Sequence, residues 1–353
     1  MPNIIDNLRA ARKKQEVLPQ GFQVYHTPPE APQQFRLHLR REPDGNSVLI
    51  VNASSVLHLN QSATEMVSYL MEGMDDDQIA AKVIERFNAD EAQIRSDVKD
   101  FHTTLLDFIR KVDQDPEMDF GLSPLFEESP ISAPYRLDCC LTDRISAETA
   151  DPEVNELSTQ GWKEIINNAF LAGIPHLVFF GGEPLLREDL IELFSYCEEM
   201  GVVSGLISGS EKLADPAVVS ALLDAGLDHL MVLHDPSNPK LTQALDLILP
   251  LDLYTCVHFD VDTETDYAPL LQDLAAKGAN AFSFSPSSEV AYQHFLDLSD
   301  YVQESEQKLS NDLPMPVGHP AYHVPGLDEA INPTHLAVDP KGQVWTKLPK
   351  GIL

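Results

Sequence analysis

From residue 134 to about residue 289 the chain alternates short apolar runs with amphipathic segments, and this alternation restricts its fold more than any other feature. The expected strands are Tyr135–Thr142, His176–Phe180, Val202–Ser208, His229–His234, Tyr254–Val261 and Ala281–Ser285. Helical patterns lie between them, for example at Leu157–Leu171, Ala217–Ala225 and Tyr267–Ala276. Strands that regularly alternate with helices predict parallel α/β architecture. Periodicity alone fits an open partial barrel and a doubly wound sheet equally well.

Within this region HLVFFGGEPLLR, His176 to Arg187, is the most informative stretch. Its apolar run ends at Gly181-Gly182, where the backbone can enter conformations closed to other residues. Glu183 follows, and Pro184 suits the first turn of a helix expected to run through Leu190, Phe194 and Cys197. In a parallel barrel such a turn lies on the ligand-binding face, which makes Glu183 the best single ligand candidate. Strand phase predicts the lining of the barrel. Leu137, Cys139 and Leu141 face the helices, leaving Arg136, Asp138, Cys140 and Thr142 inward. Cys256, His258 and Asp260 point inward from the fifth strand, and Ser283 and Ser285 from the sixth. A polar, titratable interior is therefore expected, with Arg136, Asp138, Cys140, His258 and Asp260 as candidates for acid–base or nucleophilic work or for pairing among themselves.

The N-terminal third has a different pattern. Residues 1–20 read as a polar tail or short helix. Phe35, Leu37 and Leu39 alternate with Arg36, His38 and Arg40, Asp44-Gly45 signals a hairpin, and Val48–Val51 returns. Ser55–Leu59 makes a third strand. Three capped helices follow, opened by Asn60 or Ser62, by Asp75 with Gln78, and by Asp90 with Gln93. Ile94, Val98, Phe101, Leu105 and Phe108 form one apolar stripe on the last. Residues 21–113 thus read as a small α+β winged-helix-like domain. Residues 114–133, rich in proline and acid without period, read as a linker. The domain plan continues with a barrel at 134–289 and a C-terminal extension at 290–353.

A net charge of −32 argues against nucleic-acid partners and against attraction to anionic membranes. No apolar run approaches a membrane span, and the N-terminus lacks a signal-peptide core. Four cysteines suit a reducing cytoplasm, which is the expected location. His319, His323 and His335 lie among prolines that break helices, so no metal site is expected there.

The paired strands, LHLNQSATEMVSYLMEG, and the acid-capped DDDQIAAKVIERF resemble the PqqD-like family, also called the RiPP recognition element. That resemblance implies a leader peptide added as an extra strand beside Val56, Leu57, His58 and Leu59, with Ile94, Val98 and Phe101 near it. In physical terms this is β-augmentation. Residues 134–289 resemble the radical S-adenosylmethionine superfamily, whose core is a partial (β/α)6 TIM-like barrel. The matching pieces are the first strand ending Leu141-Thr142, the Gly181–Pro184 turn, the third strand ending Ile207-Ser208-Gly209, and YAPLLQDLAAKGANAFSFSP. LAVDPKGQVW, Leu336 to Trp345, is similar to the hairpin that opens the SPASM or twitch extension of its peptide-modifying branch. The resemblance implies S-adenosylmethionine contacts from Gly181, Gly182, Glu183, Pro184 and Ser208; a family serine position falls on Leu233.

One element of that family is missing. Its loop after the first strand reads C-x3-C-x2-C, and three thiolates there hold a 4Fe–4S cluster. Aligned on Leu141-Thr142, those positions fall on Ile145, Thr149 and Pro152, and no cysteine lies between Cys140 and Cys197. No 4Fe–4S cluster is expected, whereas S-adenosylmethionine binding stays open. The reading is a degenerate radical-SAM-like protein that holds a precursor or leader peptide, as accessory to an intact radical enzyme. The alternatives are a non-radical enzyme using S-adenosylmethionine or another small ligand in the lumen, and a radical enzyme with an unconventional cluster.

Overall fold

The computed structural model describes residues 17–28, 35–51, 55–86, 90–110, 117–120, 133–134, 136–146, 156–305, 307, 309 and 335–345. The chain divides into two compact units, Met1–Ser132 and Ala133–Leu353.

In the first unit β1 (Gly21–His26), β2 (Arg36–Arg41), β3 (Ser47–Val51) and β4 (Ser55–Leu59) form an antiparallel meander. The hairpin at Asp44-Gly45 forms as expected: Gly45 takes a φ of 86°, and the Asp44 side chain accepts from the Asn46 amide at 2.9 Å. β1 was not expected. A second departure lies inside the segment read as a linker. Residues Glu117–Phe120 form β5, which pairs parallel with β4 and makes it an interior strand of a five-stranded sheet.

The helices are α1 (Gln61–Met71), α2 (Asp76–Arg86) and α3 (Glu91–Arg110). Their starts follow the capping logic of the sequence. Asn60 accepts from the Ala63 amide at 3.0 Å, Asp75 and Gln78 cap each other reciprocally at 2.9 and 3.0 Å, and Asp90 accepts from the Gln93 amide at 3.0 Å. Two apolar clusters hold the unit together. Leu37, Leu39, Leu49, Leu57 and Leu59 pack under Ala63, Val67 and Leu105, while Met66, Ile79, Val83, Ile94 and Val98 join the three helices.

In the second unit β6 (Arg136–Cys140), β7 (His176–Phe180), β8 (Val203–Ser208), β9 (His229–Leu233), β10 (Tyr254–Val261) and β11 (Ala281–Pro286) lie parallel in sequence order. The connecting helices are α4 (Thr159–Ala172), α5 (Leu190–Met200), α6 (Pro216–Asp224), α7 (Pro239–Ile248) and α8 (Ala268–Lys277); α9 (Tyr292–Glu304) follows the last of these strands. On the other side of β6 the sheet continues with β12 (His335–Val338), parallel to it, and then β13 (Val344–Trp345), antiparallel. The expected hairpin at 336–345 therefore exists and extends the first barrel strand. Trp162, Leu177, Phe179, Phe194, Leu206, Val257, Phe259 and Phe282 fill the layer between sheet and helices. Among the described residues, no helix is long and apolar enough to cross a membrane.

The helix expected to start at Pro184 begins later. Pro184–Leu186 is a single 3-10 turn, and α5 starts only at Leu190. The delay has a local cause: Arg187 and Asp189 fold onto each other at 2.7 Å, fixing an extended residue between turn and helix.

Candidate functional site

The top of the barrel is built on the Gly181-Gly182 turn after β7. A Cβ on Gly181 would lie 2.2 Å from Cys140 Sγ, and one on Gly182 would lie 2.3 Å from the Arg144 carbonyl oxygen. Both glycines also have positive φ, 94° and 43°. Only glycine lets the loop after β6 press onto this turn, and the contact is sealed by the Glu183 amide donating to Arg144 O at 2.7 Å.

Glu183 is buried beneath it. Its carboxylate accepts from the Leu185 amide at 2.8 Å, and the Ser208 hydroxyl lies 2.9 and 3.0 Å from its two oxygens. A further bond from the Gly209 amide and the Lys212 charge favour the carboxylate, but burial is the larger influence and pushes its pKa up. Of the residues that the resemblance assigns to cofactor contact, the structure brings Gly181, Gly182, Glu183, Pro184 and Ser208 together at the carboxyl ends of β7 and β8. There the Glu183 carboxylate ties the two strand ends to each other. Leu233, at the family serine position, lines an apolar patch instead.

Where the family holds its cluster, this chain has no fitting donors. The described loop after β6 is Leu141, Thr142, Asp143, Arg144, Ile145 and Ser146. Ile145 is 72% exposed; Thr149 and Pro152 lie outside the described residues. The nearest thiol, Cys140, is fully buried, and burial followed by the charges of Asp143 and Asp339 pushes it up to about 12. The described loop residues that follow it, Leu141 to Ser146, carry no thiol. The described residues of this loop do not fit a 4Fe–4S cluster.

A network that sequence reasoning missed closes this loop. Arg187, whose side chain is 7% exposed, reaches Asp189 at 2.7 Å, the carbonyls of Leu141 and Leu157 at 3.2 Å each, and Glu156 at 3.4 Å. Thr142 Oγ1 and Arg144 also hold Glu156, and Thr159 caps Asp189 at 2.7 Å. These partners lie up to 46 residues apart in sequence, so no local pattern announces them.

The lumen departs from expectation in composition while keeping the expected phase. Arg136 pairs with Asp138 at 2.5 Å, His258 Nδ1 lies 3.0 Å from Ser283 Oγ, and its Nε2 lies 3.6 Å from Asp260, whose side chain is 80% exposed. Cys140 and Cys256 instead join Val178, Phe180, Ile207, Met231, Ala281 and Ala337 in an apolar belt. The interior is polar at β6, β10 and β11 and mostly apolar at β7 to β9, apart from His176 and His229, whose Nε2 atoms lie 2.7 Å apart. Those middle strands are apolar runs buried on both faces, as parallel strands commonly are.

In the first unit, Leu57 and Leu59 are core residues of the sheet and His58 is half-buried. The edge that the resemblance assigns to peptide is the one covered by β5. Ile94 and Val98, expected near a peptide, are 0% and 1% exposed inside the helix cluster; Phe101 is half-buried between the two clusters. The stripe on α3 packs the unit's own core and leaves no surface at those two positions. His319 and His323 lie outside the described residues, and His335 opens β12 opposite Arg136.

Comparisons with known proteins meet this geometry at both units. Residues 46–107 match the family described as Coenzyme PQQ synthesis protein D (PqqD). Across 88% of this chain and 81% of the other, the structure superposes on SuiB from Streptococcus suis bound to S-adenosylmethionine, with a TM-score of 0.53 and 13% identity. The same protein bound to its precursor peptide SuiA superposes with a TM-score of 0.50 and 12% identity over 86% of this chain and 80% of that one. The chain thus shares the fold of SuiB, and its residues 46–107 carry a PqqD match. Curated relatives include PqqA peptide cyclases of Methylorubrum populi, 36% identical, and Methylorubrum extorquens, 35% identical, each over 111 residues. Those matches cover 31% of this chain and 27% of the relatives' own length.

Proposed function

We propose that this PqqD-like, radical-SAM-type protein binds a precursor or leader peptide through its N-terminal unit and serves its modification without generating a radical itself. The observation that carries the reading is a combination within one chain. A PqqD match over residues 46–107 supports a peptide-binding module there, while the loop after β6 has Ile145, Thr149 and Pro152 where three thiolates would hold the cluster. Reductive cleavage of S-adenosylmethionine needs an electron from such a cluster. The partner completing the chemistry is then an intact radical enzyme, and the site of action is the cytoplasm.

Peptide recognition would use backbone pairing along β4, at Val56–Leu59, with side pockets supplying specificity. The test is a fluorescence-anisotropy titration of the full chain with a labelled peptide copied from the short precursor-type reading frame nearest this gene. A benzophenone in that peptide reports where it lies. A dissociation constant on the order of micromolar with crosslinks on Ser47–Leu59 supports the reading. No saturable binding, or crosslinks confined to 133–353, contradicts it.

A further inference from the structure

The expected peptide edge is already occupied by the chain's own residues. β5 runs parallel along β4 with Val56 opposite Glu117, Leu57 opposite Met118, His58 opposite Asp119 and Leu59 opposite Phe120. Three facts make this pairing more than the ordinary end of a sheet. The strand comes from the proline- and acid-rich segment at the end of the first compact unit, after the last helix of that unit has ended at Arg110. It lies against β4, one of the two outer strands of the meander, on the edge that β1, β2 and β3 leave open. Its four residues, EMDF, alternate acid and large apolar side chains, the period-2 pattern of a strand.

We infer that Glu117–Phe120 is a resident strand on the peptide-accepting edge, and that an incoming peptide binds by exchanging with it. This rests on the reading of β4 as that edge and adds what stands in the way. A strand held by the six residues between Arg110 and Glu117 competes at an effective concentration on the order of millimolar. A peptide offering only four backbone pairings at micromolar concentration loses to it. The resident sequence also states what the edge accepts: an extended segment alternating acidic and large apolar residues. A natural partner carries that pattern and, to win, adds contacts beyond these four pairings.

The test uses the full chain and a labelled peptide copy of residues 114–123, QDPEMDFGLS. Met118→Pro removes a strand amide and clashes with the ladder; a second variant replaces Glu117–Phe120 by Gly-Ser-Gly-Ser, in case the proline disturbs the neighbouring chain. Anisotropy gives affinity, and hydrogen exchange follows the amides of Ser55–Leu59. Exchange at β4 should rise at least about ten-fold in both variants and fall again when peptide is added. The peptide should bind the variants at least about ten-fold more tightly than the wild-type chain. Unchanged β4 exchange in both variants overturns the resident strand while leaving peptide binding at β4 intact. Equal affinity for wild type and variants overturns the exchange. Exposed β4 amides that no peptide re-protects overturn the inference together with the peptide-edge reading.

Discussion

Glu183 shows how much of one side chain's surroundings a sequence can announce. In sequence it is a lone carboxylate after two glycines, well suited to an ammonium group. In the structure its oxygens are already engaged by Leu185, Ser208 and Gly209. Burial raises its pKa from the ordinary glutamate value, and the sign of the consequence is definite. With the folded value above the unfolded one, Glu183 contributes stability fully at low pH and loses it as pH rises through the folded value. A glutamine at the same place has no such dependence. The stability of wild type relative to Glu183→Gln should therefore be greater near pH 4 than near pH 7, measured by urea unfolding at about those two pH values. A difference that grows with pH would contradict the burial argument. The two glycines and the carboxylate were legible in sequence because glycine and proline constrain the backbone locally. The hydroxyl that holds the carboxylate, on Ser208, is 25 residues away and was placed near it only through the family resemblance.

Secondary-structure elements divide into those with a long period and those without. The barrel strands and capped helices follow directly from apolar phase and N-cap chemistry, and the phases of Arg136, Asp138 and Cys140 on β6 hold. β1 and β5 escaped notice for different reasons. The burial pattern of β1 is half-buried along nearly its whole length, giving no clean two-sided alternation. β5 is four residues long in acid- and proline-rich surroundings, too short for a periodic signal. The stripe on α3 was legible as apolar, but its destination was not, because a stripe says that a face is buried and leaves open by what. Ile94 lies in the core formed with α1 and α2. Ile94→Ala should lower stability by about 3 kcal/mol through lost packing and leave the peptide's affinity for the folded protein unchanged, which chemical denaturation and an anisotropy titration together measure. A large loss of affinity without loss of stability would restore Ile94 to the peptide site.

At the scale of the whole molecule, the fold is shared with SuiB, while the cluster positions implied by the family resemblance carry Ile145, Thr149 and Pro152. The fold needs strand phase, the glycine turn and the core between sheet and helices, all of which are present. The Arg187 and Glu156 network now ties down the base of the loop where cysteines would stand, and the middle strands add an apolar belt to the lumen. The cluster chemistry requires three thiolates in one loop, and Ile145, Thr149 and Pro152 cannot supply them. All four cysteines are buried elsewhere in the barrel unit. The most direct measurement is anaerobic iron–sulfur reconstitution of the full chain, followed by desalting and counting of iron and acid-labile sulfide. The account predicts far less than one cluster per chain, without a charge-transfer band that S-adenosylmethionine perturbs. About four irons and four sulfides per chain, as a 4Fe–4S cluster requires, would contradict it.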